Sequence, residues 1–73
     1  MDKKNFFAKW RLLIAATLGH AESQYKLGLR YEYGSYGFQQ DENKAIKWYF
    51  KAADQGHSNA ERAVEILQQE RRL

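Results

Sequence analysis

The chain holds few side chains able to do chemistry. There are two histidines and no cysteine, so thiolate nucleophiles, thiolate metal ligands and disulfides are excluded. A cysteine-free chain fits a reducing, cytoplasmic setting. His20 and His57 stand 37 residues apart, each directly after a glycine, Gly19 and Gly56. A metal-binding or general-base role would need a converging carboxylate or thiol cluster, and none is visible in the sequence. The pair therefore reads as a turn and helix-cap position used twice. Ser23, Ser35 and Ser58 lack the neighbours of an activated nucleophile, and no glycine spacing matches a phosphate-binding loop. The expectation is a protein that is not an enzyme and takes no cofactor and no metal.

The bulk properties agree with a small binding domain. Seventy-three residues make one domain, 1–73, and a chain of this size buries only about 60% of the surface its unfolded form exposes. Hydrophobic content of 44% with 15% aromatics is enough for a folded core and argues against disorder. The net charge is +3, with acids and bases interleaved and no lysine or arginine run beyond two. Nucleic-acid binders usually gather their basic charge on one face, so that function is disfavoured. The amino-terminal lysines followed by Leu12–Leu18 superficially resemble a signal peptide. Lys9 and Arg11 interrupt the apolar stretch, which falls far short of the ~20 residues a membrane span needs. The segment reads as mature structure.

An internal repeat supplies the elements. Ala15-Ala16-Thr17-Leu18-Gly19-His20-Ala21 matches Ala52-Ala53-Asp54-Gln55-Gly56-His57-Ser58 at a constant offset of 37 residues, and Ala8 matches Ala45. A period of this size marks stacked supersecondary units. Apolar residues at Ala45, Trp48, Tyr49, Ala52 and Ala53 follow the spacing of a helix with one buried face. The pattern predicts four helices at about 3–18, 21–33, 41–54 and 58–71. Asp41 is the expected N-cap of the third, Gly19 and Gly56 end helices, and Ser58 with Glu61 forms a capping box. Connections this short make neighbouring helices antiparallel. Phe38 should plug the gap under the longer link, 34–40. Trp48 should lie at the core, where truncation to alanine costs about 3–5 kcal/mol.

Tyr25, Leu27-Gly28, Tyr31, Gly34, Gly37-Phe38, Asp41, Lys44-Ala45, Trp48-Tyr49, Lys51-Ala52-Ala53, Gln55-Gly56-His57 and Ala60 resemble the signature of the Sel-one-like repeats, relatives of the tetratricopeptide repeats. The resemblance is strong over residues 21–60, with 8–20 as the tail of a preceding unit. It implies an all-α, α-α solenoid fragment of four antiparallel helices, about one full repeat flanked by two half repeats. Members of the family act mainly as adaptors and scaffolds for protein partners. The last helix departs from the pattern, with Glu65 in the place of Gly28 and Gln68 in the place of Tyr31. Glutamate forbids the close helix approach that glycine permits, so this helix reads as a polar terminal cap.

Superposing the first helix on the third by the 37-residue offset isolates a candidate binding surface. Asn43, Lys44, Lys47, Lys51, Asp54 and Gln55 form the polar arc of the third helix. Phe6, Phe7, Trp10, Ile14, Thr17 and Leu18 stand in their places on the first, so five of six polar positions have become apolar. The inward face (Ala8, Leu12, Ala15, Ala16) is kept, which leaves a helix apolar nearly all round. Either Phe6, Phe7, Trp10 and Ile14 form an exposed patch that marks an interaction site, with homodimerisation as one route, or they fold over the second and third helices as core. The resemblance implies a second surface, the concave side, where the second helix would present Lys26, Leu29, Arg30 and Tyr33. Arg and Tyr are frequent interface anchors. A bacterial or phage-encoded inhibitor of a larger complex would use the same surfaces. The alternative class is attachment to a membrane surface, with Lys3, Lys4, Lys9 and Arg11 flanking the aromatics. The double change Phe7→Lys, Trp10→Lys separates core from interface. Loss of association by sedimentation equilibrium with an unchanged thermal melt assigns the rings to an interface, and collapse of the melt assigns them to the core.

Overall fold

Four helices form close to where the 37-residue period puts them. The structure, a computed structural model, describes residues 3–71, with side chains from 6 to 70. The helices are α1 (Lys3–Thr17), α2 (Ala21–Tyr33), α3 (Glu42–Asp54) and α4 (Ser58–Arg71), and no strand occurs among the described residues. Each packs on its neighbour in the chain, α1 on α2, α2 on α3 and α3 on α4. The result is a flat slab of 37 × 22 × 14 Å, the outline of a short stretch of α-solenoid.

The two short turns are built identically. The His20 amide donates to the Ala15 carbonyl and the Gly19 amide to that of Ala16, both at 3.1 Å; His57 and Gly56 repeat this with Ala52 and Ala53. These are the paired bonds of a Schellman ending, which requires a left-handed residue after the helix. Gly19 at φ 100° and Gly56 at φ 86° supply it. Asp41 caps α3 as expected, its Oδ1 accepting from the Lys44 amide at 3.1 Å. The expected Ser58–Glu61 capping box is replaced. Ser58 is already helical, and His57 one residue earlier takes the cap, its Nδ1 accepting from the Ala60 amide at 3.1 Å.

The core divides into two clusters. Ala45, Tyr49, Val64 and Leu67 fill the space between α2, α3 and α4. Ala16, Leu27 and Phe38 join α1 to α2 and the link. Phe38 is the expected plug, buried and set edge-on to Tyr31 with ring centres 5.2 Å apart. Gly28 explains how α2 and α3 come so close: a Cβ there would lie 2.5 Å from the Tyr49 ring. Tyr49 is itself fully buried, so the ring has no room to move aside.

Trp48 departs from expectation. It is only half-buried, packing on the edge of the α1–α2 cluster with the Lys51 ammonium 5.7 Å from its ring centre. Helix α3 is held from two sides, and the position facing both α2 and α4 is Tyr49. Phe50, the next aromatic along α3, is exposed. The aromatic at the centre is therefore the tyrosine. Tyr49→Ala should cost about 3–5 kcal/mol, enough to unfold a domain of this size, and Trp48→Ala about half as much. Chemical denaturation of the two variants checks the order.

Candidate functional site

The side chains able to do chemistry are engaged in holding helices. His20 caps α2: its Nδ1 accepts from the Ser23 amide at 3.3 Å and lies 2.6 Å from the Ser23 hydroxyl. His57 caps α4 through Nδ1, so its ring hydrogen sits on Nε2, which donates to Glu22 at 2.6 Å. Its ring also stacks on Tyr25 at 4.7 Å. This hydrogen bond from His57, with the Lys26 charge behind it, outweighs desolvation and holds the Glu22 carboxyl below the usual carboxylate range. Tyr49 donates its hydroxyl to Glu32 at 2.5 Å, and burial pushes its pKa up. Among the described residues no group of three or more histidine, cysteine or acidic side chains is placed to hold a metal.

The first helix shows where unspent surface lies. Phe6, Phe7, Trp10, Ile14 and Leu18 are 48, 60, 51, 55 and 81% exposed. They do not fold over α2 and α3. Phe6 contacts Phe7 and Trp10 edge-on at 5.5 and 6.3 Å, which makes one continuous aromatic patch. The patch is not a face awaiting another helix of the solenoid. Helix α3 is flanked on both sides, by α2 and α4, yet Lys44, Lys47, Lys51 and Gln55, the equivalents of Phe7, Trp10, Ile14 and Leu18, all remain exposed. Solenoid stacking leaves these positions in water.

The four residues expected on the concave face separate. Leu29 and Tyr33 line a groove of about 450 Å³ between α2 and α4, facing Arg62, Ile66 and Glu70. Leu29 is half-buried against the core, and Tyr33 is exposed. Lys26 and Arg30 turn the other way, into a cleft of about 360 Å³ between α1 and α2. Adjacent turns of one helix thus serve two depressions, and helical spacing alone could not tell which neighbour each would meet. Of the basic residues invoked for membrane attachment, Lys9 is turned inward, donating to the Gly37 carbonyl at 3.0 Å and lying 5.0 Å from the centre of the Phe38 ring. The side chains of Lys3 and Lys4 lie outside the described residues. No helix among the described residues is long and apolar enough to cross a membrane.

His57 is the junction most open to test. His57→Ala removes an N-cap and the bond to Glu22, and should destabilise by about 1–2 kcal/mol. His57→Asn, which keeps a capping acceptor, should recover about half of that by urea denaturation. A depressed carboxyl contributes stability that is present above its unfolded pKa and lost as pH falls through the folded value. Any stabilisation by Glu22 relative to Glu22→Gln should therefore be present at neutral pH and fade as acidification passes below the usual carboxylate range.

The comparisons with known proteins agree with this architecture. The Sel1 repeat family model matches residues 21–57, from the first residue of α2 to the cap of α4. The ERAD-associated E3 ubiquitin-protein ligase component HRD3A of Arabidopsis thaliana is 40% identical over 52 residues, 71% of this chain and 7% of the relative. The chitin synthase regulator SKT5 of Malassezia restricta is 48% identical over 49 residues, 67% of this chain and 3% of the relative. Chitin synthase regulatory factor 1 of Schizosaccharomyces pombe is 35% identical over 48 residues, 66% of this chain and 10% of the relative. The chain thus spans a tenth or less of the length of these relatives, which come from a plant and two fungi. No solved structure matches significantly. The match to the repeat model covers half of the chain with its helices in phase, and the chain belongs to the Sel1 repeat family.

Proposed function

We propose that residues 1–73 act as a single non-enzymatic protein-interaction module, adaptor-like or inhibitor-like, that holds a protein partner against the apolar face of α1. The observation that carries this reading is the exposure of Phe6, Phe7, Trp10 and Ile14 at positions that the repeat otherwise fills with Asn43, Lys44, Lys47 and Lys51. Rigid aromatic side chains offer large contact area at low entropic cost, and such patches mark interaction sites. The flanking depressions, with Leu29 and Tyr33 in one and Lys26 and Arg30 in the other, extend the surface on which a partner is selected. The printed names of the relatives, a ligase component and two regulators of a synthase, suit a module that works by holding other proteins. A cysteine-free sequence suits the cytoplasm.

Removing two large aromatic side chains from an interface costs several kcal/mol at roughly 25 cal/mol per Å². Capture of a defined partner from the native host should therefore fall at least about a hundredfold in affinity on Phe7→Lys, Trp10→Lys. The melting temperature should stay within a few degrees of the parent. Tyr33→Ala, on the far side of α2, should weaken capture less. A partner held equally well by the double variant would move the binding face elsewhere.

A further inference from the structure

The cleft between α1 and α2 collects positive charge with no carboxylate in its lining. Lys9 and Arg11 enter from α1, Lys26 and Arg30 from α2, and its remaining lining is Ala8, Leu12, Ser23, Tyr36 and Phe38. Four cations thus share one depression with no carboxylate. The nearby acids are turned away from it: Glu22 accepts from His57, and Glu32 accepts from Tyr49 on the other side of α2. Positive charge over low-dielectric walls such as Leu12 and Phe38 focuses the field instead of letting water disperse it.

Two of the cations are held in place. The Arg30 guanidinium carbon lies 4.1 Å from the centre of the Tyr36 ring, so its planar fork is already oriented. Tyr36 adopts a left-handed φ of 55° that a non-glycine residue rarely takes, in the turn that brings its ring under the arginine. The Lys9 ammonium is fixed by the Gly37 carbonyl and the Phe38 ring, with two of its three hydrogens still to donate. Lys26 and Arg11 are exposed at the rim. Oriented donors around an apolar floor reduce the ordering cost of binding an anion.

We propose that this cleft binds an acidic peptide segment of a protein partner, two or more carboxylates engaging Arg30, Lys26 and Arg11 while an apolar side chain rests on Leu12 and Phe38. The proposal rests on the reading of the chain as a protein-interaction module and names the chemistry of the partner. A peptide is favoured over nucleic acid because the cations converge on one short depression, whereas a nucleic-acid strand is tracked by charges strung along a groove.

The test uses the full chain and a fluorescently labelled synthetic peptide with four glutamates around one leucine. Fluorescence polarisation should show saturable binding that weakens with added salt. Replacing the glutamates by glutamine should abolish it. Lys26→Glu should weaken binding about tenfold or more. Lys47→Glu, which changes net charge equally but lies on the outer face of α3, should change it less than about twofold. Lys26→Gln, with a thermal melt beside it, repeats the test without charge reversal and should also weaken binding. No saturation, equal binding of the glutamine peptide, equal loss in the Lys26→Glu and Lys47→Glu variants, or tighter binding of a short single-stranded DNA of equal charge would each overturn the proposal. Because the peptide assay does not involve the α1 aromatics, its failure leaves partner capture through Phe7 and Trp10 standing.

Discussion

Everything in the three-helix part of the molecule depends on Tyr49 sitting on Gly28. The ring occupies the space a Cβ would take, so α2 and α3 approach more closely than any other residue at 28 would permit. From that seat Tyr49 packs with Ala45, Val64 and Leu67, lies 5.8 Å from the Tyr25 ring, and donates its hydroxyl to Glu32. One side chain thus sets the spacing of α2, α3 and α4. Its only polar atom meets a carboxylate, and an unpaired hydroxyl buried there would cost a few kcal/mol. Helix α4 offers no equivalent seat, because Glu65 stands where glycine would have to be, and it is exposed.

The first helix is tied on by different means. Its apolar contact is the small cluster around Ala16, Leu27 and Phe38, supplemented by polar bonds across the turns. Buried Gln24 donates to the Ala16 carbonyl and accepts from Gln55, which also donates to the Gly19 carbonyl at 2.8 Å. The ends of α1 and α3 are thereby joined through one side chain of α2. Among the described residues no buried side-chain polar atom is left without a partner, the condition under which such networks rigidify a structure. The exposed aromatic face of α1 is therefore presented on a fixed helix.

Much of this was legible in the sequence because the chain carries its own comparison. The 37-residue offset located the turns and helix ends, and the paired histidines were recognisable as caps. What periodicity could not resolve is which of two buried-side positions on a helix meets two neighbours and which meets one. Trp48 and Tyr49 are adjacent and both lie on the apolar arc, and only the position of α4 makes the tyrosine central. The same limit scattered Lys26, Leu29, Arg30 and Tyr33 into two depressions. The basic cleft is hidden in the sequence for a related reason. Lys9 and Arg11 stand beside the amino-terminal lysines along the chain, while in space they face Lys26 and Arg30 across the helix pair.

The register of α1 against α3 also shows how a repeat carries an exposed apolar surface without disturbing its fold. At Leu12/Tyr49 and Ala15/Ala52 both helices keep apolar residues that are buried or half-buried, whereas Ala8, expected on the inward face by its match to buried Ala45, is exposed because α1 has a neighbour on one side only. At Phe7/Lys44, Trp10/Lys47 and Ile14/Lys51 the solenoid imposes no requirement, since a helix flanked on both sides still leaves them in water. Substitution there changes what the outer face attracts while the core contacts stay as they are. Core contacts and exposed apolar surface thus lie on different arcs of one helix. That separation explains why a sequence so close to the repeat pattern within residues 21–57 can place its aromatic surface in the segment before it.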